Sequence, residues 1–235
     1  MKTLLLVACL LMLAGGALAQ DTPVSDIQHG IGLTPGANLV VPRGIVTALT
    51  TDGFFVVDYY VASPGAWDGI FVYMGAVSFD LMIGDVVALC GVYDEVDGLT
   101  VIDVEFAGLY GSALKVGETV VPPPSVITAA DVTADPEPWE SCVITIQDGM
   151  EVTSPPDGDG TWSALCQDGT PLLLGDFWVD PASVSLGECY NNITGIWYES
   201  LGTYLHQPFA DGLEITGCTV PNEDISFGTI KALYR

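Results

Sequence analysis

Positive charge is what this chain has least of. Lys and Arg together number 5 against 30 Asp plus Glu, a formal net charge of −25, and the cations are Lys2, Arg43, Lys115, Lys231 and Arg235. Binding a nucleic-acid backbone relies on several cationic contacts that release counterions, so tight direct binding of nucleic acid is not expected, nor is adhesion to anionic lipid. Histidine is as scarce, with only His29 and His206, and neither has a partner in sequence that would make a nucleophile and base. No two cysteines stand at two-residue spacing, which leaves zinc-knuckle and thioredoxin-like readings without support. Beyond the first residues no run is long and apolar enough to cross a bilayer as a helix. Amphipathic helical periodicity is almost absent too, which removes helical bundles.

What remains is a chain built to fold. Hydrophobic residues make up 49% and charged residues 15% of its 235 positions, a balance that excludes disorder. That size can bury roughly 70% of its surface in one or two ordinary cores. Lys2, the apolar run Leu4 to Leu13 and Ala17-Leu18-Ala19 read as a secretory signal over residues 1–19, cleaved after Ala19. A lipoprotein signal at Leu6-Val7-Ala8-Cys9 comes too early, with little apolar stretch ahead of it. The expectation is a secreted or cell-surface protein, periplasmic or extracellular. Cleavage leaves Cys90, Cys142, Cys166, Cys189 and Cys218, an odd number in an oxidising compartment. Two disulfides and one thiol is the simplest arithmetic, with Cys142 to Cys218 and Cys166 to Cys189 as the pairing and Cys90 as a buried thiol.

The body reads as short β-branched and aromatic runs punctuated by Gly, Asp and Pro. In the first half these are Leu39 to Leu49, Gly53 to Val61, Gly69 to Gly75, Asp85 to Asp94 and Leu99 to Phe106. Asp52-Gly53 and Asp97-Gly98 have the chemistry of hairpin turns. Val120-Val121-Pro122-Pro123-Pro124 cannot continue a ladder and reads as an extended connector, followed by one short helical turn over Thr128 to Asp131. Runs then restart at Cys142 to Thr153, Trp162 to Gln167, Pro171 to Leu174, Cys189 to Tyr198 and Thr203 to Ile215. The order repeats, so the fold expected is all-β, with two five-stranded Greek-key barrels in tandem. Boundaries follow: an N-terminal segment 20–38, a first barrel 39–117, a Pro-rich linker 118–139, a second barrel 140–218 and a tail 219–235.

The segments Gly53-Phe54-Phe55-Val56-Val57-Asp58, Gly69-Ile70-Phe71-Val72-Tyr73, Gly84-Asp85-Val86-Val87 and Gly98-Leu99-Thr100-Val101-Ile102 resemble the OB-fold modules of secreted bacterial proteins. Gly187, Gly195-Ile196-Trp197-Tyr198 and His206-Gln207-Pro208 extend the resemblance to a second copy. Such modules are often appended to extracellular nucleases of the endonuclease/exonuclease/phosphatase class, which implies a link to nucleic-acid degradation, although no catalytic domain follows residue 218. The tail from Ile225 to Arg235 resembles short C-terminal sorting tails of exported proteins, and equally suits a final turn docked on the second barrel.

Candidate chemistry is sparse. Tyr59, Tyr60, Trp67 and Tyr73 gather on the second and third runs, where OB-folds bind oligonucleotides and oligosaccharides. With no cations beside them, they favour a glycan or a protein partner. Asp157 and Asp159, in Asp157-Gly158-Asp159-Gly160, suggest a calcium loop, but Trp162 occupies the sixth position that an EF-hand reserves for glycine. A hairpin turn is the simpler reading, with a looser extracellular calcium site as the alternative; Asp94-Glu95-Val96-Asp97 is a second such turn. His29 reads as a surface residue and His206 as a polar position at a strand edge. The expected function is non-enzymatic: a binding module for a glycan or protein. Alternatives are an accessory to a separate nuclease, or a calcium-assisted hydrolase.

Overall fold

The computed structural model describes residues 22–215. The leader, Cys218 and the tail lie outside the described residues. Two closed five-stranded mixed β-barrels stand in tandem, with the strand connectivity of OB-folds.

The first barrel consists of β1 (Asn38–Leu49), β2 (Gly53–Asp58), β3 (Gly69–Tyr73), β4 (Asp85–Val96) and β5 (Leu99–Asp103). The sheet runs β1-β2-β3-β5-β4 and closes where β1 also pairs with β4. One strand can serve both neighbours because it bends: the β1 to β4 register shifts between Val41 and Gly44, where Pro42 offers the ladder no donor. The β4–β5 hairpin turns at Asp97-Gly98, both at positive φ, 54° and 95°, the requirement of a tight two-residue turn. Gly53 differs from the expectation. It begins β2 without a positive φ, and glycine is needed there because a Cβ would sit 2.2 Å from the Val72 carbonyl oxygen. A further strand, β6 (Ser112–Glu118), adds to the free side of β4. It brings Lys115 to the buried Asp85 at 2.7 Å.

The second barrel repeats the plan. Its long first run is divided into β8 (Val143–Ile146) and β9 (Met150–Ser154), followed by β10 (Trp162–Cys166), β11 (Pro171–Leu174), β12 (Cys189–Ser200) and β13 (Thr203–Ile215). Closure is again through the fourth strand, since β12 pairs with both β8 and β13. Before it, β7 (Ser125–Ile127) pairs in parallel with β8, so part of the proline-rich stretch belongs to this sheet.

Each barrel is preceded by a short helix whose apolar face enters its core. Helix α1 (Val24–Gln28) buries Val24 and Ile27 in the first. Helix α2 (Ala129–Ala134) buries Ala129 and Val132 in the second. Thr128 caps α2 by accepting from the Asp131 amide at 3.1 Å, satisfying one of the orphan donors of a helix start.

The cysteines depart from the expected pairing. Cys142 and Cys166 are free thiols, whereas Cys189 is disulfide-bonded. Register explains why Cys166 and Cys189 do not meet: Cys166 faces Met150 and Cys189 faces Glu151 across opposite sides of β9. Two strand spacings separate them by about 9–10 Å, beyond disulfide reach. Cys142 faces the first barrel, its thiol 3.5 Å from the Gly65 carbonyl. Cys90 lies half-buried on β4.

Candidate functional site at the barrel junction

The outer face of β2, β3 and β5 in the first barrel is covered. Ala48, Phe55, Phe71, Leu99 and Val101 form one buried cluster with Ile196 of the second barrel, flanked by Tyr73, Val143, Trp178, Tyr198 and Phe209. Phe55 is the hub, meeting Phe71 at 4.8 Å and the rings of Trp178 and Tyr198 at 6.2 and 6.3 Å. Polar contacts cross the same seam. The Trp178 indole donates to the Leu49 carbonyl at 2.8 Å, and the Leu201 amide donates to the Asp97 carbonyl at 2.9 Å, tying hairpin to hairpin.

The four aromatic residues singled out from the sequence do not form one face. Tyr73 joins the inter-barrel cluster. Trp67 leaves the sheet in a loop, at φ 71°, and packs on His29 with centroids 4.2 Å apart. Tyr59 and Tyr60 pair with each other at the end of β2, and Arg43 lies over Tyr59 at 5.3 Å. Asp157 and Asp159 are exposed, and the Asp157 carboxylate accepts from the amides of Asp159 and Thr161, both at 3.0 Å. This is an Asx turn closing the β9–β10 hairpin.

Beside the seam an open cleft of about 410 Å³ is lined by Leu49, Thr50, Thr51, Asp52, Phe71, Phe177, Trp178 and Tyr198. Phe177 is 47% exposed and meets Trp178 and Tyr198 edge to face at 5.7 and 5.1 Å. Phe177 and Trp178 stand in the sequence as adjacent aromatics in Gly175-Asp176-Phe177-Trp178-Val179-Asp180, a loop with no alternation to mark them as facing a ligand. No Lys or Arg lines the cleft.

A second grouping forms where the connector meets β12. One carboxylate oxygen from each of Glu137, Glu140 and Glu199 lies within 4.8 Å of the others, the donor chemistry of a divalent cation site. Glu140 is 1% exposed and one of its oxygens accepts from the Thr100 amide at 3.0 Å. Burial raises its pKa to about 8; the Thr100 amide opposes this, and the charges of Glu137, Glu95 and Glu199 add to it. Tyr204 donates to Glu137, and burial with these carboxylates raises its pKa as well. Nothing in the spacing of these glutamates announces the group, because only the fold brings residues 137, 140 and 199 together.

No catalytic constellation forms among the described residues. The thiols of Cys142 and Cys166 are pushed up to about 12, chiefly by burial, so neither supplies a thiolate at neutral pH. His29 is exposed, with its ring nitrogen Nδ1 2.6 Å from the Ser25 carbonyl oxygen. His206 is fully buried on β13, away from any strand edge open to water. No helix among the described residues is long and apolar enough to cross a membrane.

No family model matches the chain, and no curated protein matches it. Among solved structures, "Crystal structure of p204 HINb domain" is similar at 10% identity, covering 74% of this chain and 95% of that one with a TM-score of 0.34. "Structural mimicry for functional antagonism" is similar at 7% identity, covering 77% and 95% with a TM-score of 0.37. Likeness at this level says nothing about ligand or activity.

Proposed function

We propose that the protein is an exported, non-catalytic binding module whose inter-barrel cleft takes a neutral saccharide. The observation that carries the reading is the lining of that cleft: Phe71, Phe177, Trp178 and Tyr198 against Thr50, Thr51 and Asp52. Aromatic faces beside a few hydroxyl and carboxylate acceptors suit a ring with apolar C–H faces and an equatorial rim of hydroxyls. A phosphate-bearing ligand is opposed by the charge of −25 and by the engagement of both described cations. Arg43 lies over Tyr59, and Lys115 is paired with Asp85 and Glu118. Export rests on the leader read at residues 1–19. An accessory role beside a nuclease would need the positive charge to come from that partner.

The test is a titration of the mature protein with soluble gluco-, xylo- and chito-oligosaccharides, followed by tryptophan fluorescence. Saturable change is expected with at least one. Phe177→Ala should weaken it by about two- to tenfold, the worth of one aromatic contact of roughly 0.5–1.5 kcal/mol. Saturation unaffected by Phe177→Ala would move the ligand elsewhere, and the absence of any response would remove the saccharide reading. A single-stranded DNA arm at about 0.15 M salt, where charges are screened beyond about 8 Å, should stay flat. Micromolar DNA binding without divalent ions would favour the nuclease-accessory role instead.

A further inference from the structure

Crowding carboxylates into a protein interior is expensive unless a proton or a cation offsets their charge. Glu140 and Glu199 are 1% and 8% exposed, and Glu137 completes the group within 4.8 Å. Glu140 is only half satisfied. Its Oε1 is satisfied by the Thr100 amide, but its Oε2 is buried with no hydrogen-bond partner. Neither described cation serves the group, since Lys115 and Arg43 are engaged elsewhere.

We propose that Glu137, Glu140 and Glu199 bind one calcium ion, and that this ion tightens the seam between the two barrels. Oxygens held about 2.3–2.6 Å from a common calcium stand up to roughly 5 Å apart, which accommodates the observed group. An all-carboxylate donor set selects a hard cation. Calcium's tolerance of irregular coordination suits three ligands from a connector and a strand better than the strict octahedron of magnesium. The ion's ligands lead directly to the first barrel. Glu140 holds the Thr100 amide of β5. Glu199 packs on the β4–β5 turn so closely that a Cβ on Gly98 would sit 2.3 Å from its Oε1. Glu95, which accepts from Tyr93 and from the Thr100 hydroxyl, adds a further negative charge felt by Glu140. The Asp157 loop has no such closure, its carboxylate being spent on its own turn.

The test uses the full mature chain stripped with a chelator and titrated with calcium chloride in a calorimeter. The expected result is a single saturable site with a dissociation constant of about 10⁻⁴–10⁻³ M, typical of extracellular modules. The melting temperature should rise in excess calcium, and the Thr100 and Leu201 amides should exchange more slowly with solvent. Glu199→Gln and Glu140→Gln should each abolish the saturable heat and the calcium-dependent shift. Because the readout is the difference with and without calcium, a change in baseline stability does not obscure it. Asp157→Asn with Asp159→Asn should leave both responses intact. The proposal is overturned if no saturable heat appears up to 10⁻² M calcium, if magnesium gives an equal shift by general screening, or if the Asp157 and Asp159 substitutions remove the response.

Discussion

His206 sits on β13 with no exposed surface, beside the Trp197 ring at 6.5 Å. Burial lowers its pKa to about 4, with a small opposing contribution from the backbone at Ile144. A neutral imidazole in the folded state and an ordinary one near 6.5 in the unfolded chain set the sign. The unfolded state takes up the proton first, so stability is fully present above about 6.5 and is lost as pH falls toward about 4. Across that window the loss amounts to about 3 kcal/mol, at 1.36 kcal/mol per pKa unit. Chemical denaturation at pH 7 and at pH 4.5, compared between the native chain and His206→Gln, should show a smaller pH dependence in the variant. Equal slopes would mean that His206 is protonated while folded.

The two β-hairpins at the seam turn on different residues. The β4–β5 turn uses Asp97-Gly98 and the β12–β13 turn uses Leu201-Gly202, with φ of 53° and 78° at the latter pair. Leucine in the left-handed region carries a steric cost of about 1–2 kcal/mol that asparagine largely avoids. Leu201 is 76% exposed, so replacing it forfeits little packing, and its amide can still donate to Asp97. Leu201→Asn should therefore raise stability by about 1 kcal/mol, or roughly 2–4 °C in melting temperature for a chain of this size. A drop would show that the leucine side chain packs against something its exposure does not reveal.

The two barrels share a core and should unfold together. A close backbone approach between them depends on Gly69 of β3, where a Cβ would meet the Ser141 carbonyl oxygen at 2.3 Å. Backbone on both sides leaves no flexible group to yield, so Gly69→Val must part the seam or distort β3, at a cost of about 1–3 kcal/mol or more. Calorimetry should show one cooperative transition for the native chain and two resolved transitions for the variant. Two transitions in the native chain would mean that the cluster around Phe55 and Ile196 does not couple the barrels.

The strand order, the repeat and the barrel class were legible in sequence, because alternation, β-branching and turn dipeptides are local signals. Pro171–Leu174 and Thr203–Ile215 coincide with their strands, and the short helical turn expected over Thr128 to Asp131 overlaps the start of α2. Helix α1 and strand β6 were not, since five residues and an exposed edge strand carry too little periodicity to stand out. The junction was beyond local reading altogether. Alternation suits Phe55 and Phe71 to the interior of the first barrel and Tyr73 to a ligand-facing surface, yet all three join the inter-barrel cluster, because only the docking of the second barrel turns that outer face into a core. The same docking opens the cleft at Phe177, whereas Glu137, Glu140 and Glu199 are gathered inside the second half, where the connector returns to β12 and the Ser141 amide donates to the Trp197 carbonyl. Sequence determines what each residue can do with its immediate neighbours, whereas long-range packing decides which residues become neighbours, and both candidate sites of this protein arise from that second choice.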